Sequence, residues 1–463
     1  MKIKCIGASG GEVTGSCYLI ETKRARIMLD CGMFQGSPKS EALNRPPVRT
    51  NLRLDAVLLT HGHLDHSGRL PLLARLGYDG IIHATPATIE MASLIVRDSA
   101  RIQEQDNQRI NLRRERAGEP PIEALYTKDD AEAIIDRFRP VPYRTPVAVA
   151  PGIEAEWSEA GHMLGSASIR LTIDDGGERK RIVFSGDLGP PGVPFLKPFE
   201  PFNEADLVFL ESTYGDRDHA PFRQTVDDFV RIVKETVAAH GKIIVPTFAV
   251  GRAQLLGGIL AKMFRDQLVE PFPIFLDSPM AIKATQIYTQ HHELANDTAR
   301  EFIAKGTVLG ELKTLRMTES SDESRAINHV PGPCLIMAGA GMCNAGRVLH
   351  HLKANLWKPD THVIIAGFQG RGSLGRQLVD GASHVTVHHE KIAVRAKIHT
   401  LGGFSAHAGQ KDLLAWFDVI APCKPRVVLV HGEDGPREAL AARIQERHGI
   451  TPEIPAMGGI VTI

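Results

Sequence analysis

The chain has 463 residues, 43 % hydrophobic and 23 % charged, with Lys+Arg and Asp+Glu equal at 54 each. That length predicts two or three domains, and the hydrophobic share supplies a core without disulfide staples. Zero formal net charge excludes a whole-molecule basic field for nucleic acid and leaves room only for a local basic groove.

The N-terminal stretch "MKIKCIGASGGEVTGSCYLI" has no continuous apolar signal-type core. It predicts a strand, a glycine-rich turn and a second strand. No apolar run reaches the length of a bilayer span, so no membrane is expected. The cysteines Cys5, Cys17, Cys31, Cys334, Cys343 and Cys423 form no C-x-x-C pair, which argues against a thiolate zinc site. A cytoplasmic protein with reduced thiols is expected.

"ARIMLDCG" and "LDAVLLTHGH" predict short buried strands that end in polar, glycine-containing loops. "SGRLPLLARLG" predicts a short amphipathic helix. A longer helical pattern follows from about Thr88 to Arg116, and "RINLRRERAGE" within it reads as a solvated helix face. "RIVFSGDLG" and "ADLVFLESTYGDR" are again strands, each ending in acidic residues. From about Phe222 the pattern changes to regular helix–strand alternation. "KIIVPTFAVGRAQLL", "PFPIFLDSPMA", "GPCLIMAGAGM" and "THVIIAGFQGRG" predict a mainly parallel sheet covered on both faces. After Lys391, "VRAKIHTLGGFSAHAG" and "KPRVVLVHGE" end in histidines and suggest a return to the first domain. The expected division is 1–215 and 392–463 for one domain, with 216–391 inserted into it.

The segment "THGHLDHSG" carries His61, His63, Asp65 and His66 within six positions. Zinc prefers imidazole nitrogen and carboxylate oxygen, and catalytic zinc keeps a position open for water. At a strand end His61 and His63 project to one side, while Asp65 and His66 reach a neighbouring point. One loop can then serve two metals, but four ligands are too few for both. Further candidates stand at other strand ends: Asp30 in "DCG", His162 in "SEAGHMLGSAS" and Asp187 in "VFSGDLG". Each alone is a common loop residue; their joint order is specific.

That order resembles the metallo-β-lactamase superfamily, an αββα sandwich with a dinuclear site at one edge. The resemblance implies that His61, His63 and His162 hold one Zn2+ ion, that Asp65 and His66 hold another, and that Asp187 bridges them. Asp30 then orients a histidine ligand. Glu211 in "FLESTYGDR", His407 in "GGFSAHAG" and His431 in "VLVHGE" resemble the three extra motifs of the β-CASP nucleases, in which an inserted α/β domain caps the site. "PTFAVGRAQLL", "GAGMCNAGRVLHHL" and "AGFQGRGSLGRQL" match that inserted domain, so the resemblance covers essentially the whole chain. A histidine at the third motif, His431, is the mark of the RNA-processing branch. The similarity is to the nuclease subunit of the cleavage and polyadenylation specificity factor and its compact bacterial and archaeal homologues. The sequence starts at the first strand and ends soon after His431, so neither a KH-type module nor the long C-terminal domain of ribonuclease J is expected.

The resemblance implies hydrolysis of single-stranded RNA by in-line attack at phosphorus, leaving a 5′-phosphate and a 3′-hydroxyl. His431 completes the second zinc shell, His407 protonates the leaving oxygen and Glu211 orients His407. Ser405, Arg371 and Arg376 lie in glycine-rich loops suited to phosphate. Arg252 and Arg347, near helix starts, are weaker candidates for the RNA backbone. A homodimer is left open, and protein partners are not readable. Two alternatives stand beside this reading. A small-ester or thioester hydrolase explains "HGHLDH" but not Glu211, His407 and His431. An inactive binding subunit conflicts with a full set of ligand positions.

Overall fold

The apolar runs at Arg26–Leu29, Ala56–Leu58, Leu207–Glu211 and Arg426–Val430 become strands that are almost wholly buried. Near-continuous Val, Leu and Ile suit a strand covered on both faces. The computed structural model describes residues 1–48, 53–296, 300, 309–310 and 312–463. These fall into two units. The first comprises Met1–Pro191, Pro198–Asp218 and His407–Ile463; the second comprises Gly192–Lys197 and His219–Ala406.

Among the described residues the first unit contains a seven-stranded and a six-stranded sheet. Their inner faces share one core, in which Tyr18, Ile27 and Leu58 meet Trp157, Phe184 and Phe209. Helices cover the outer faces. Leu70, Leu73, Ala92 and Ile134 pack on one sheet. Leu413, Trp416, Phe417, Leu440 and Ile444 pack on the other. The result is an αββα sandwich. Arg26–Leu29 runs parallel to Ala56–Leu58. Leu207–Glu211 runs parallel to both Arg179–Phe184 and Arg426–Val430. Ile153–Glu159 is two antiparallel steps from Arg179–Phe184 and so points the same way. Within each sheet, therefore, the carboxyl ends of these strands lie along one edge. The pattern 109–119 spans the last turns of the helix Pro86–Arg116 and the three residues after it, and most of it faces solvent.

The second unit holds a six-stranded sheet in which every pairing is parallel. One face buries Phe229, Ile232, Leu256 and Leu260; the other buries Val348, Leu352, Leu374 and Leu378. Two boundaries differ from the sequence expectation. The return to the first unit falls at His407, not at residue 392, because Lys397–Thr400 pairs with Thr361–Ile365 as the edge strand of the inserted sheet. Gly192–Lys197 also belongs to the inserted unit: Phe195 enters its core, and Asn296 donates to the carbonyls of Val193 and Leu196. Neither strand partner nor docking site is written in the local pattern.

Arg347, a weak candidate for the RNA backbone, is engaged within the inserted unit. Its guanidinium donates to Asp277 at 2.6 Å and to the Thr318 carbonyl at 3.0 Å. Asp277, fully buried at a strand end, also accepts from His351 at 2.7 Å and Ser324 at 2.6 Å. Burial alone would raise this carboxyl; its hydrogen bonds outweigh that and hold it at about 2, below its ordinary 3.8. Asp277 thus binds its proton more weakly folded than unfolded. Its stabilisation is fully present above pH 3.8 and is lost as the pH falls through about 2. Asp277→Ala strands a buried charge and is expected to cost about 3–5 kcal/mol. Urea titration at pH 7 reads this directly; a loss below about 1 kcal/mol, the scale of a surface pair, would show the network to be dispensable. Arg252 is buried as well. Among the described residues no helix is long and apolar enough to cross a membrane.

Candidate metal centre

The loop after Ala56–Leu58 sets the first candidates. Thr60 and His61 follow the strand, and His63 caps the short helix Leu64–Ser67 that carries Asp65 and His66. The loop is pinned by its backbone: Ser16 N–H donates to the Asp65 carbonyl and Cys31 N–H to the His66 carbonyl, both at 2.8 Å. The approach is close enough that a Cβ on Gly32 would fall 1.6 Å from the Asp65 oxygen, so only glycine fits there. His61 and His63 do converge, with ring centroids 5.0 Å apart, although from a loop rather than from a continued strand.

Ligand-type atoms of His61, His63, His162 and Asp187 all lie within 4.8 Å of one another, and so do those of Asp65, His66 and His431. Asp187 stands between the two groups. Its Oδ2 is 3.5 Å from His61 Nε2 and 3.6 Å from His162 Nε2. Its Oδ1 is 3.3 Å from His66 Nε2 and 3.4 Å from His431 Nε2. His63 Nδ1 is 3.0 Å from His162 Nε2, and His66 Nε2 is 3.1 Å from His431 Nε2.

The donor set fits metal ions. His61 Nε2 and Asp187 Oδ1 are buried and make no hydrogen bond. Burial of unpaired polar atoms is costly, and a cation is what both lack. Burial holds His61 well below its ordinary value and His63 at about 4, so both are neutral at pH 7, the form that donates a lone pair. At His66 burial also pulls downward, but Asp187 and Asp30 outweigh it and demand positive charge at that point. For Asp187 burial raises the carboxyl, yet His431, His66 and His61 together hold it well below the usual range.

Behind the cluster, Asp30 accepts from His66 Nδ1 at 2.7 Å and from the Thr60 hydroxyl and amide at 2.8 Å each. Its left-handed backbone, φ +56°, aims the carboxylate at this loop. The Thr60 oxygen, its proton given to Asp30, lies 3.1 Å from His61 Nδ1 and can accept from it. One buried carboxylate thereby reaches imidazoles of both groups. Thr60 was missed from sequence, although a hydroxyl next to a ligand is a usable signal. Thr213 was missed in the same way; its hydroxyl is 3.1 Å from His431 Nδ1.

Glu211 and His407 sit beside the same cluster. His407 Nδ1 is 3.2 Å from Glu211 Oε1, and its ring centroid is 4.6 Å from that of His162. Glu211 is itself fixed by the amides of Leu188 at 3.0 Å and Thr213 at 3.1 Å. The His407 side chain is 16 % exposed, against 0–3 % for His61, His66, His162 and His431. Burial lowers His407, but Glu211 prevails and raises it above 6.5. Asp187, His407 and His431 also satisfy the geometry of a metal-holding group. Ser405, Arg371 and Arg376 belong to the inserted unit. Ser405 is buried, and Arg376 is held by Asp380 at 2.9 Å.

A sandwich with His/Asp groups of metal-holding geometry along the carboxyl edge of its strands fits a metallo-hydrolase of the αββα class. Comparison with known proteins narrows this. Residues 10–247 match the metallo-β-lactamase superfamily, residues 253–378 the Beta-Casp domain, and residues 391–455 the Zn-dependent metallo-hydrolase RNA specificity domain. The chain is 37 % identical to Ribonuclease TTHA0252 of Thermus thermophilus, over 94 % of each. It is 30 % identical to the RNase J-like protein of Methanocaldococcus jannaschii, covering 98 % of this chain and 97 % of that one. The transcription termination factor FttA of Methanosarcina mazei is 29 % identical over 96 % of this chain and 69 % of its own. A solved structure of a protein of unknown function from Enterococcus faecalis V583 shares the fold, with a TM-score of 0.53 and 13 % identity across 100 % of this chain and 99 % of that one. The chain belongs to the metallo-β-lactamase superfamily, in its β-CASP branch of RNA nucleases.

Proposed function

We propose that the protein is a two-zinc ribonuclease that hydrolyses phosphodiester bonds of single-stranded RNA, as an endonuclease, a 5′-exonuclease or both. The products are a 5′-phosphate and a 3′-hydroxyl, and the work is RNA processing or decay in the cytoplasm. The observation that carries this reading is the Glu211–His407 pair beside the His/Asp groups. The 3′ oxygen of RNA leaves as an alkoxide and needs a proton, whereas the thiolate of a thioester leaves without one.

In this reading His61, His63 and His162 hold one zinc, Asp65, His66 and His431 hold the other, and Asp187 serves both. When bound, the two ions supply Lewis-acid charge for the phosphate and a water whose pKa falls toward 7. Asp30 keeps His66 in the Nδ1–H form, leaving its Nε2 to the metal side. Glu211 accepts from His407 Nδ1 and favours the protonated ring. His407 then has its Nε2 proton for the leaving 3′ oxygen. Its greater exposure lets it meet substrate.

The test uses purified protein loaded with zinc and three substrates: end-labelled single-stranded RNA, the same sequence as DNA, and a generic thioester. RNA alone should be cut, and the ends should be 5′-phosphates. A chelator should abolish cleavage and zinc should restore it, while circular dichroism stays unchanged. Hydrolysis of the thioester but not of RNA would replace this reading with the small-substrate one. RNA cleavage that survives exhaustive chelation would remove the metal from it.

A further inference from the structure

His431 can serve as a zinc ligand only if Nε2 is unprotonated. That atom faces His66 Nε2 at 3.1 Å, Asp187 at 3.4 Å and Asp65 at 3.6 Å. We propose that Thr213 is a positioning residue that holds His431 in its Nδ1–H form and so presents the Nε2 lone pair to the metal. The inference rests on the proposed role of His431 as a ligand.

The geometry of one hydroxyl carries it. Thr213 Oγ1 lies 3.1 Å from His431 Nδ1 and 3.2 Å from the His431 carbonyl oxygen. A hydroxyl has one proton and two lone pairs. The carbonyl can only accept, and the hydroxyl is placed to donate to it. Oγ1 is then left to accept, which requires N–H at Nδ1. A neutral imidazole with its proton at Nδ1 has its lone pair at Nε2. Both residues are 2 % exposed, so water does not compete for these bonds.

The same contacts hold the backbone. His431 has φ +51°, a left-handed conformation that histidine adopts at a cost. Its carbonyl receives Ser212 N–H at 3.3 Å as well as the Thr213 hydroxyl, and its own N–H donates to Ala8 at 2.8 Å. Thr213 N–H meanwhile donates to Glu211 Oε2 at 3.1 Å. The tripeptide Glu211-Ser212-Thr213 thus serves both late histidines, through a carboxylate for His407 and a hydroxyl for His431.

The experiment compares zinc-loaded wild type, Thr213→Val and Thr213→Ser. Valine keeps the shape and removes the hydroxyl; serine restores it. Stepwise zinc affinities come from competition with a colorimetric chelator. In Thr213→Val one zinc should bind about 10–100-fold more weakly, the usual loss when a partner behind a ligand is removed. The other zinc should be unchanged, and Thr213→Ser should recover both. A second reading uses protein labelled with 15N-histidine. The wild type and Thr213→Ser should show a slowly exchanging Nδ1–H resonance for His431, absent in Thr213→Val. Two unchanged zinc affinities in Thr213→Val overturn the proposal. So does a wild type without that resonance, which decides the matter even if the valine variant fails to fold. His431→Gln is the control for the underlying role. If it binds two zincs like wild type, the ligand assignment fails, and that outcome is separate from any result at Thr213.

Discussion

Asp187→Ala is expected to lose both bound metal and RNA cleavage, the latter by roughly 10⁴-fold or more, since the whole metal-supplied chemistry goes with it. The carboxylate faces His61 and His162 through one oxygen and His66 and His431 through the other, all within 3.6 Å. Among the described residues Asp187 is the one carboxylate that belongs to more than one of the metal-holding groups. Without it, His61, His63 and His162 keep no carboxylate in their group, and His66 and His431 keep only Asp65. Metal analysis of the purified variant should find well under two zincs per chain. Two tightly bound zincs in Asp187→Ala would show that the groups do not share this residue.

His407→Ala is expected to behave differently. It should keep both zincs and lose about 10²–10⁴-fold in turnover, the range for a general acid. The reason is its position. It is the most exposed imidazole for which a contact with Asp187 is seen, and its Nδ1 is given to Glu211. Its distance to Asp187, 3.9 Å, is the longest of the five. Yet Asp187, His407 and His431 also form a group with metal-holding geometry. The two roles predict opposite results in one measurement. If zinc content falls in His407→Ala along with activity, His407 is a ligand, and another donor must supply the leaving-group proton. Substrates with a leaving group that needs no proton sharpen the comparison. Cleavage of an activated phosphodiester should be nearly as fast in the variant as in wild type if His407 acts only as acid.

Much of the site was legible in local sequence because metal chemistry restricts residue types. "HGHLDH" presents four donors in six positions, and the glycines beside Asp30, His162 and Asp187 mark strand ends where side chains enter a cleft. The bulk of the inserted unit was legible too, since strand and helix periods differ. What failed was local in appearance and nonlocal in cause. Lys397–Thr400 reads like any short strand, and only pairing with Thr361–Ile365 assigns it to the inserted sheet. The partner of Arg347 is likewise not written near it, since only the fold brings it against Asp277, seventy positions away.

The sequence by itself offered the candidate donors and the alternation of strand and helix, because these depend on side-chain chemistry and on periods of a few residues. Tertiary structure alone decided which oxygen of Asp187 faces which histidines, and that Asp30 with Thr60 reaches both groups. It also decided that Thr213 meets His431 across 218 positions of chain. Hydrogen bonds act within about 3 Å, and strand order, not spacing along the chain, determines which groups come that close.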